Sequence, residues 1–347
     1  AITMILFKLE GQKIMRNPSF GMEDRLQLDK VNYENKTIEI GGKVYPMLDC
    51  DFPTVDPANP YELTAEESEL VEKLHHSFRV SDKLQRHIRR LFQQGCMYNV
   101  CNGNLLFHAS VPLNADGSLK EVPLPDGKFA GKELMHRIGM IMRSAFRPEA
   151  PQPEREYARD YFWYLWCGPD SPLFGKDRMT TFERYFLTDK EMHTEQKGYY
   201  FQFRDDPAVC DRILDAFGVQ GPSRHIINGH VPVHVAKGEN PSKAGGKLMV
   251  IDGGFSRAYH RTTGIAGYTL VYHSRGFQLI QHEPFTSTKE AIENGLDIKS
   301  STQIVEMTGH RMRVRDTDKG HEIQAQINDL RNLVYAYRHG LIKEQQG

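Results

Sequence analysis

The sequence of 347 residues has few cysteines and no excess of charge of either sign. Its five cysteines are an odd number and show no CxxC spacing, which argues against a disulfide framework and against a zinc knuckle. Reduced thiols are therefore predicted, as is typical of cytoplasmic proteins. The formal net charge is -1, with 44 Lys and Arg against 45 Asp and Glu. Such a balance gives no global field that would recruit nucleic acid or an anionic membrane, so neither is predicted as a partner.

Long apolar runs are also missing, since none approaches the roughly 20 residues that span a bilayer. With 39% hydrophobic and 26% charged residues, the composition is that of an ordinary soluble protein. The sequence starts without an initiator Met, a helix cap or the charged region of a signal peptide. Ile2, Ile5, Leu6 and Leu9 nevertheless follow the spacing of one apolar helix face. We therefore expect the chain to start inside a helix and to be a fragment of a longer protein.

The patterns divide the chain into three predicted segments. Residues 1–100 are predicted to hold helices, a small hairpin and a Pro-rich loop, with Thr64 opening a helix through a capping box. Residues 101–286 contain short apolar strands that each end at a His, Asp or Gly. Residues 287–347 are predicted to form a charged helical tail. The predicted fold class is α/β in a layered arrangement, with the functional site in loops at the strand ends.

Two histidines follow apolar strands. His108 comes directly after residues 104–107, and His230 ends the Asn-Gly-His run that follows a short strand at residues 226–227. Strand ends are held by the hydrogen bonds of the sheet, and imidazole is a good ligand for manganese, iron and zinc. Both histidines are thus candidate metal ligands, with a purely structural role as the alternative. Asp252, which ends a later strand, either orients His230 from behind or forms a turn.

Several blocks of the sequence resemble class III fructose-1,6-bisphosphatases. The blocks are residues 104–113 (NLLFHASVPL), 163–176 (WYLWCGPDSPLFGK), 179–186 (MTTFERYF), 225–233 (HIINGHVPV), 250–259 (VIDGGFSRAY) and 263–270 (TGIAGYTL). The likeness runs from residues 7–11 (FKLEG) into the tail, essentially the whole chain. That family is similar to the calcineurin-like metallophosphatases, whose core is a layered β-sandwich flanked by helices. The resemblance implies that residues 101–286 are the C-terminal half of such a core.

The resemblance also implies a two-metal site. Calcineurin-like enzymes build it from an Asp-x-His motif, a Gly-Asp-x-x-Asp-Arg-Gly motif, a Gly-Asn-His-Asp/Glu motif and two later histidines. His108 and His230 correspond to the later histidines, and the three earlier motifs do not occur in this sequence. The implied reaction is hydrolysis of fructose 1,6-bisphosphate to fructose 6-phosphate and phosphate, a gluconeogenic step, with Mn²⁺ as cofactor. The expectation is a C-terminal part that needs an absent N-terminal half of the same protein and that forms a homo-oligomer.

A bisphosphorylated sugar needs cations for its phosphates, and arginine binds phosphate through two parallel hydrogen bonds. Lys176, Arg178 and Arg184 follow a Gly-Pro-Asp turn, and Arg257 follows a strand, so these four are candidate substrate ligands. Solvated surface cations are the alternative. Two other functions stay open: a calcineurin-like phosphatase for another phosphoester, such as a phosphoprotein or a dinucleoside polyphosphate, and a non-catalytic structural or regulatory module.

Overall fold

The computed structural model describes residues 2–284, 287–295 and 300–342, and it is a mixed α/β structure with several sheets, as predicted. Within these residues the helices, numbered in chain order, are α1 (Ile2–Arg16), α2 (Ala65–Val80), α3 (Asp82–Gln94), α4 (Gly131–Ser144), α5 (Gln152–Cys167), α6 (Thr181–Phe186), α7 (Tyr199–Phe203), α8 (Pro207–Ala216), α9 (Arg257–Thr263), α10 (Thr288–Asn294) and α11 (Asp318–Arg338). The strands are β1 (Val31–Asn32), β2 (Thr37–Ile40), β3 (Lys43–Pro46), β4 (Tyr98–Cys101), β5 (Asn104–Phe107), β6 (Val122–Leu124), β7 (Gly127–Phe129), β8 (His225–Asn228), β9 (Ser242–Lys243), β10 (Leu248–Val250), β11 (Gly267–His273), β12 (Gly276–His282) and β13 (Ser300–Met307). Over this part of the chain, no helix combines the length and the apolar character needed to cross a bilayer.

The chain forms two compact units. Unit 1 consists of Ala1–Tyr98 and His108–Phe203, and unit 2 consists of Asn99–Phe107 and Arg204–Gly347. A short segment that includes β5 therefore belongs to unit 2, although it lies within the sequence of unit 1. The division into three consecutive segments groups the residues differently and stays a prediction.

Helix α1 supplies part of the core of unit 1. Its buried residues include Phe7, Gly11 and Ile14, which are spaced three or four positions apart. At Gly11 an added Cβ would overlap the ring of Tyr61, so only glycine permits this packing. The helix predicted at the start of the chain is confirmed. Of the predicted apolar face, Ile5 is buried and Leu6 and Leu9 are half-buried, whereas Ile2 in the first turn is 58% exposed.

Two local predictions for unit 1 are confirmed. Thr64 caps α2 in a capping box, in which its side chain accepts from the Glu67 amide and the Glu67 carboxylate accepts from the Thr64 amide. The small hairpin is the antiparallel pair β2–β3. Residues 161–167, whose pattern alone fits either a strand or a buried helix, form the last turns of α5. There they join an apolar cluster with residues of α1 and α4.

Unit 2 is built on a five-stranded sheet with the order β4-β5-β8-β10-β9. Strand β8 pairs in parallel with both β5 and β10. Every residue of β8 and β10 is buried, which is typical of parallel strands covered on both faces. A second sheet, β11-β12-β13, is antiparallel, and β11 and β12 form a hairpin. Ile227 and Met249 of the first sheet pack in one cluster with Phe277 of the second, so the two sheets form layers around a shared core.

The prediction of a helical tail is wrong over β13. Residues 300–307 pair antiparallel with β12 and form the third strand of the second sheet, whereas α10 and α11 are helical as expected. The strand has the sequence SSTQIVEM and is mostly exposed. Because its residues are polar on both faces, it lacks the apolar alternation by which a strand is recognised. Its β-branched Thr302, Ile304 and Val305 were the remaining signal.

Candidate functional site

Parallel pairing brings the carboxyl ends of three strands to one edge of the sheet in unit 2. Ile227 of β8 pairs with Leu106 of β5 on one side and with Met249 of β10 on the other. The three strands therefore run in register and end together. In open α/β sheets, ligands bind in the loops beyond this edge.

The two predicted metal ligands follow these strand ends in the chain. His108 comes directly after β5 and is exposed in unit 1, while His230 lies two residues beyond β8 and is half-buried in unit 2. His230 has a φ of 72°, a left-handed conformation that costs a residue other than glycine roughly 1–2 kcal/mol. Backbone strain of this kind is concentrated at active sites and ligand clamps. Among the described residues, no group of three or more His, Cys, Asp or Glu could hold a metal ion, so the role of both histidines stays a prediction.

Asp252 closes a turn beyond β10. Its Oδ1 accepts a hydrogen bond from the amide of Gly254 at 2.9 Å, and its carbonyl accepts from the amide of Val233 at 2.8 Å. The first bond closes a turn, which is one of the two roles predicted for Asp252 from the sequence. The second ties the loop that follows His230 to the end of β10, whereas an orienting bond to that imidazole stays a prediction. Arg257 begins α9, and its side chain lies outside what the structure describes.

The three cations predicted in unit 1 are engaged with protein acceptors. Lys176 Nζ donates to Glu195 Oε2 at 2.6 Å, and Arg178 Nε donates to Asp177 Oδ2 at 3.0 Å. Arg184 Nη2 donates to a backbone carbonyl at 2.8 Å. A bound phosphate would have to compete with these partners, so their predicted role in substrate binding gains no support from the geometry.

Unit 1 contains a pocket of about 440 Å³. It is formed by the loop that continues from His108, by the turn after α5 and by the residues before and within α7. Its charged lining residues are Lys120, Asp170, Asp177 and Lys197. Pockets of 300–1,000 Å³ are the usual size for small molecules, so a sugar phosphate fits this volume.

A second cavity of unit 1 is far smaller, about 30 Å³. Glu10, Arg25 and Trp163 are among the residues that line it. The indole Nε1 of Trp163 donates to Glu10 Oε1 at 3.3 Å, and burial raises the pKa of Glu10. A volume of this size holds about one or two water molecules, which excludes a sugar. The 440 Å³ pocket is thus the better candidate for substrate binding.

A sequence model of the Firmicute fructose-1,6-bisphosphatase family matches residues 1–339 of the chain. The chain belongs to this family. The resemblance seen in the sequence blocks is therefore confirmed at the level of the family, and it extends over nearly the whole of this chain.

The curated relatives carry the same family name. The chain is 61% identical over 346 residues to a protein of Phocaeicola vulgatus named fructose-1,6-bisphosphatase class 3, covering 99% of this chain and 52% of the relative. Proteins of the same name from Bacteroides fragilis and Alkaliphilus metalliredigens are 58% and 52% identical, covering 99% and 100% of this chain and 52% of each relative. The chain thus spans about half the length of the curated relatives it matches. No solved structure matches it, so the calcineurin-like sandwich stays a prediction.

In this fructose-1,6-bisphosphatase family member, sequence reasoning missed the two lysines of the large pocket. Lys120 and Lys197 lie outside the blocks that carry the resemblance. The fold brings both lysines to one pocket. The backbone of Lys197 pairs with that of Lys176, 21 positions earlier, in an isolated antiparallel bridge, and this pairing places Lys197 at the pocket. A contact of that kind leaves no periodic or local pattern in the sequence. Only the structure reveals it.

Proposed function

We propose that this chain is part of a cytoplasmic, metal-dependent phosphatase. The enzyme would hydrolyse the 1-phosphate of fructose 1,6-bisphosphate and release fructose 6-phosphate and phosphate. The observation that carries the proposal is the 61% identity, over 346 residues, to a protein named fructose-1,6-bisphosphatase class 3. Identity at this level over nearly the whole chain supports a shared reaction more strongly than any single motif does.

We further propose that His108 and His230 are ligands of Mn²⁺. The donor type suits the ion, because imidazole binds manganese, and each residue follows the carboxyl end of a strand. Two imidazoles are too few for two hard divalent ions, which take about six ligands each, mostly oxygen. The remaining ligands would come from polypeptide outside this chain, which the resemblance puts in an N-terminal half. When bound, such ions supply an activated water and neutralise phosphoryl charge.

Assays with this chain alone and with added polypeptide test both proposals. The added piece is the part of the Phocaeicola vulgatus relative that lies outside the match, mixed or fused with this chain. We expect phosphate release from fructose 1,6-bisphosphate with Mn²⁺ only when both parts are present. His108→Ala and His230→Ala should abolish the activity and lower the bound manganese, while His76→Ala, an exposed histidine of α2, should change neither.

Three results would contradict these proposals. No phosphate release from any preparation would favour a non-catalytic structural or regulatory module. Faster release from a phosphoprotein or a dinucleoside polyphosphate than from fructose 1,6-bisphosphate would favour another phosphoester substrate. Full activity and metal content in both histidine variants would remove these residues from the site.

A further inference from the structure

Resting on the proposed function, we propose that the 440 Å³ pocket of unit 1 binds the phosphorylated end of the sugar that is not hydrolysed, with Lys197 as the partner of that phosphate. The pocket lies next to a predicted metal ligand. Ser110, which lines it, follows His108 by two residues, and two residues of extended chain span at most roughly 7 Å. A substrate with phosphates at both ends of a hexose can therefore occupy the pocket while its other phosphate lies near His108.

The charge balance of the pocket singles out Lys197. Lys120 Nζ donates to Asp170 at 2.6 Å, so these two charges neutralise each other. Asp177 is neutralised by the guanidinium of Arg178, at 3.0 Å. No carboxylate forms an ion pair with Lys197 in the described parts of the chain. Of the four charged side chains that line the pocket, the lysine of residue 197 is thus the one left to balance a bound anion.

The backbone of Lys197 is held in place before any ligand binds. The amide of Asp177 donates to the carbonyl of Gln196, and the amide of Gly198 donates to the carbonyl of Gly175, each at 2.9 Å. Gly175 has a φ of 66°, and a Cβ there would come within 2.7 Å of the Phe201 ring. Glycine at position 175 therefore allows this segment to pack closely against the Phe201 ring. A side chain mounted on a fixed backbone loses less entropy on binding, which favours affinity.

The rest of the lining suits a sugar better than a flat or purely apolar ligand. Asn114, Gln196 and Gln202 present amides, Tyr199 presents a hydroxyl, and the paired Asp170 presents a carboxylate. Amides and carboxylates accept from sugar hydroxyls, and amides also donate to them. Phosphate at one end and hydroxyls along the ring are the features that such a pocket recognises. A hexose phosphate has both.

Binding to this chain alone gives the first test. The probes are fructose 6-phosphate, fructose and inorganic phosphate, titrated into the chain and into Lys197→Met. We expect fructose 6-phosphate to bind and fructose not to bind. Loss of one charge-assisted hydrogen bond of about 1.5–3 kcal/mol should weaken fructose 6-phosphate binding in Lys197→Met by about tenfold or more. Lys197→Arg should retain most of the affinity. Lys128→Met, which alters an exposed lysine of β7, is the matched control and should bind like the unaltered chain.

Kinetics of the reconstituted enzyme separate this inference from the proposed function. Lys197→Met should raise the KM for fructose 1,6-bisphosphate and leave kcat within about twofold. The KM for fructose 1-phosphate, which lacks the second phosphate, should not change. If the unaltered enzyme releases no phosphate, the proposed function fails, and the binding titration alone judges the pocket. If the enzyme is active but the variant binds fructose 6-phosphate and turns over the bisphosphate as the control does, the pocket is not this subsite.

Discussion

The strongest stability prediction concerns Asp160, which links α5 to α1. Its carboxylate accepts from Lys13 Nζ at 2.8 Å, from Arg16 Nε at 2.7 Å and from Asn17 Nδ2 at 2.9 Å, and its side chain is 6% exposed. Burial alone would raise the pKa of Asp160, but the hydrogen bonds from Arg16, Lys13 and Asn17 outweigh it and hold that pKa at about 2. The folded state therefore favours the charged carboxylate.

Replacement by Asn removes this charge and leaves the shape. The ordinary pKa of the group is 3.8, and a tenfold change in proton affinity is worth about 1.4 kcal/mol, so the preference for the charged form of Asp160 is worth about 2–3 kcal/mol. We expect Asp160→Asn to lower the free energy of unfolding by that amount at pH 7. Because the folded pKa is depressed, the contribution is complete above the unfolded pKa and is lost as the pH falls through the folded one. Near pH 3 the difference should be about half as large.

Urea unfolding followed by tryptophan fluorescence measures this difference. Both tryptophans, Trp163 and Trp166, lie on α5 with Asp160, so the signal reports on the helix that the substitution affects. Asp51→Asn, at an exposed aspartate of unit 1, is the matched control and should change stability by less than about 0.5 kcal/mol. The reasoning is refuted if Asp160→Asn is as stable as that control at pH 7, or if its deficit is the same at pH 3 and pH 7.

Three further predictions rest on buried or strained groups. Lys8→Ala should destabilise the protein by about 3 kcal/mol or more in urea unfolding, because it leaves Glu67 without the fully buried ammonium 2.7 Å away. His225 lies 2.8 Å from Glu306; burial lowers its pKa more than that carboxylate raises it. The stability that neutral His225 contributes is therefore complete above its unfolded pKa of about 6.5, and it is lost as the pH falls through the lower folded pKa. In thermal melts, the melting temperature of His225→Gln should not show this fall with pH. His230→Gly should have a free energy of unfolding about 1 kcal/mol higher than that of His230→Ala, because glycine adopts the left-handed backbone without strain. Its melting temperature should be correspondingly higher.

Each of these has a result that contradicts it. A Lys8→Ala protein that loses no more stability than Lys8→Met combined with Glu67→Gln would show that the unpaired carboxylate is not the cause. Parallel pH profiles for the unaltered chain and His225→Gln would remove that histidine from the pH dependence. An alanine at position 230 as stable as glycine would mean that the backbone there relaxes without cost.

The sequence predicted most of the elements near the strand ends, because those elements are short-range patterns. The apolar strands before His108 and His230 lie where expected, and Thr64 caps its helix through bonds made within one turn. Strand β13 was missed because it has no continuous apolar face. It forms a strand by pairing with β12. Tertiary pairing overrode local composition there.

The candidate site residues also differ in whether the sequence could predict them. His108 and His230 could be singled out because a strand and a single side chain are adjacent in sequence. Lys197 could not, because its place in the pocket depends on pairing between residues 175–177 and 196–198 and on which carboxylates are already neutralised. Charge balance is a property of the folded chain. No count of lysines in the sequence reveals which of the lysines lining the pocket is not paired with a carboxylate.

The parallel order of β5, β8 and β10 explains why strands far apart in sequence end at one edge of the sheet in unit 2. Antiparallel pairing would put successive strand ends at opposite edges of the sheet, whereas parallel pairing in register puts all three carboxyl ends at one edge. The positive φ of His230 lies at this edge, at a position where glycine would carry no strain. An imidazole at this position therefore costs backbone energy that a glycine would not cost. The variants His230→Gly and His230→Ala measure this backbone cost, since both remove the imidazole and only the glycine relieves the strain.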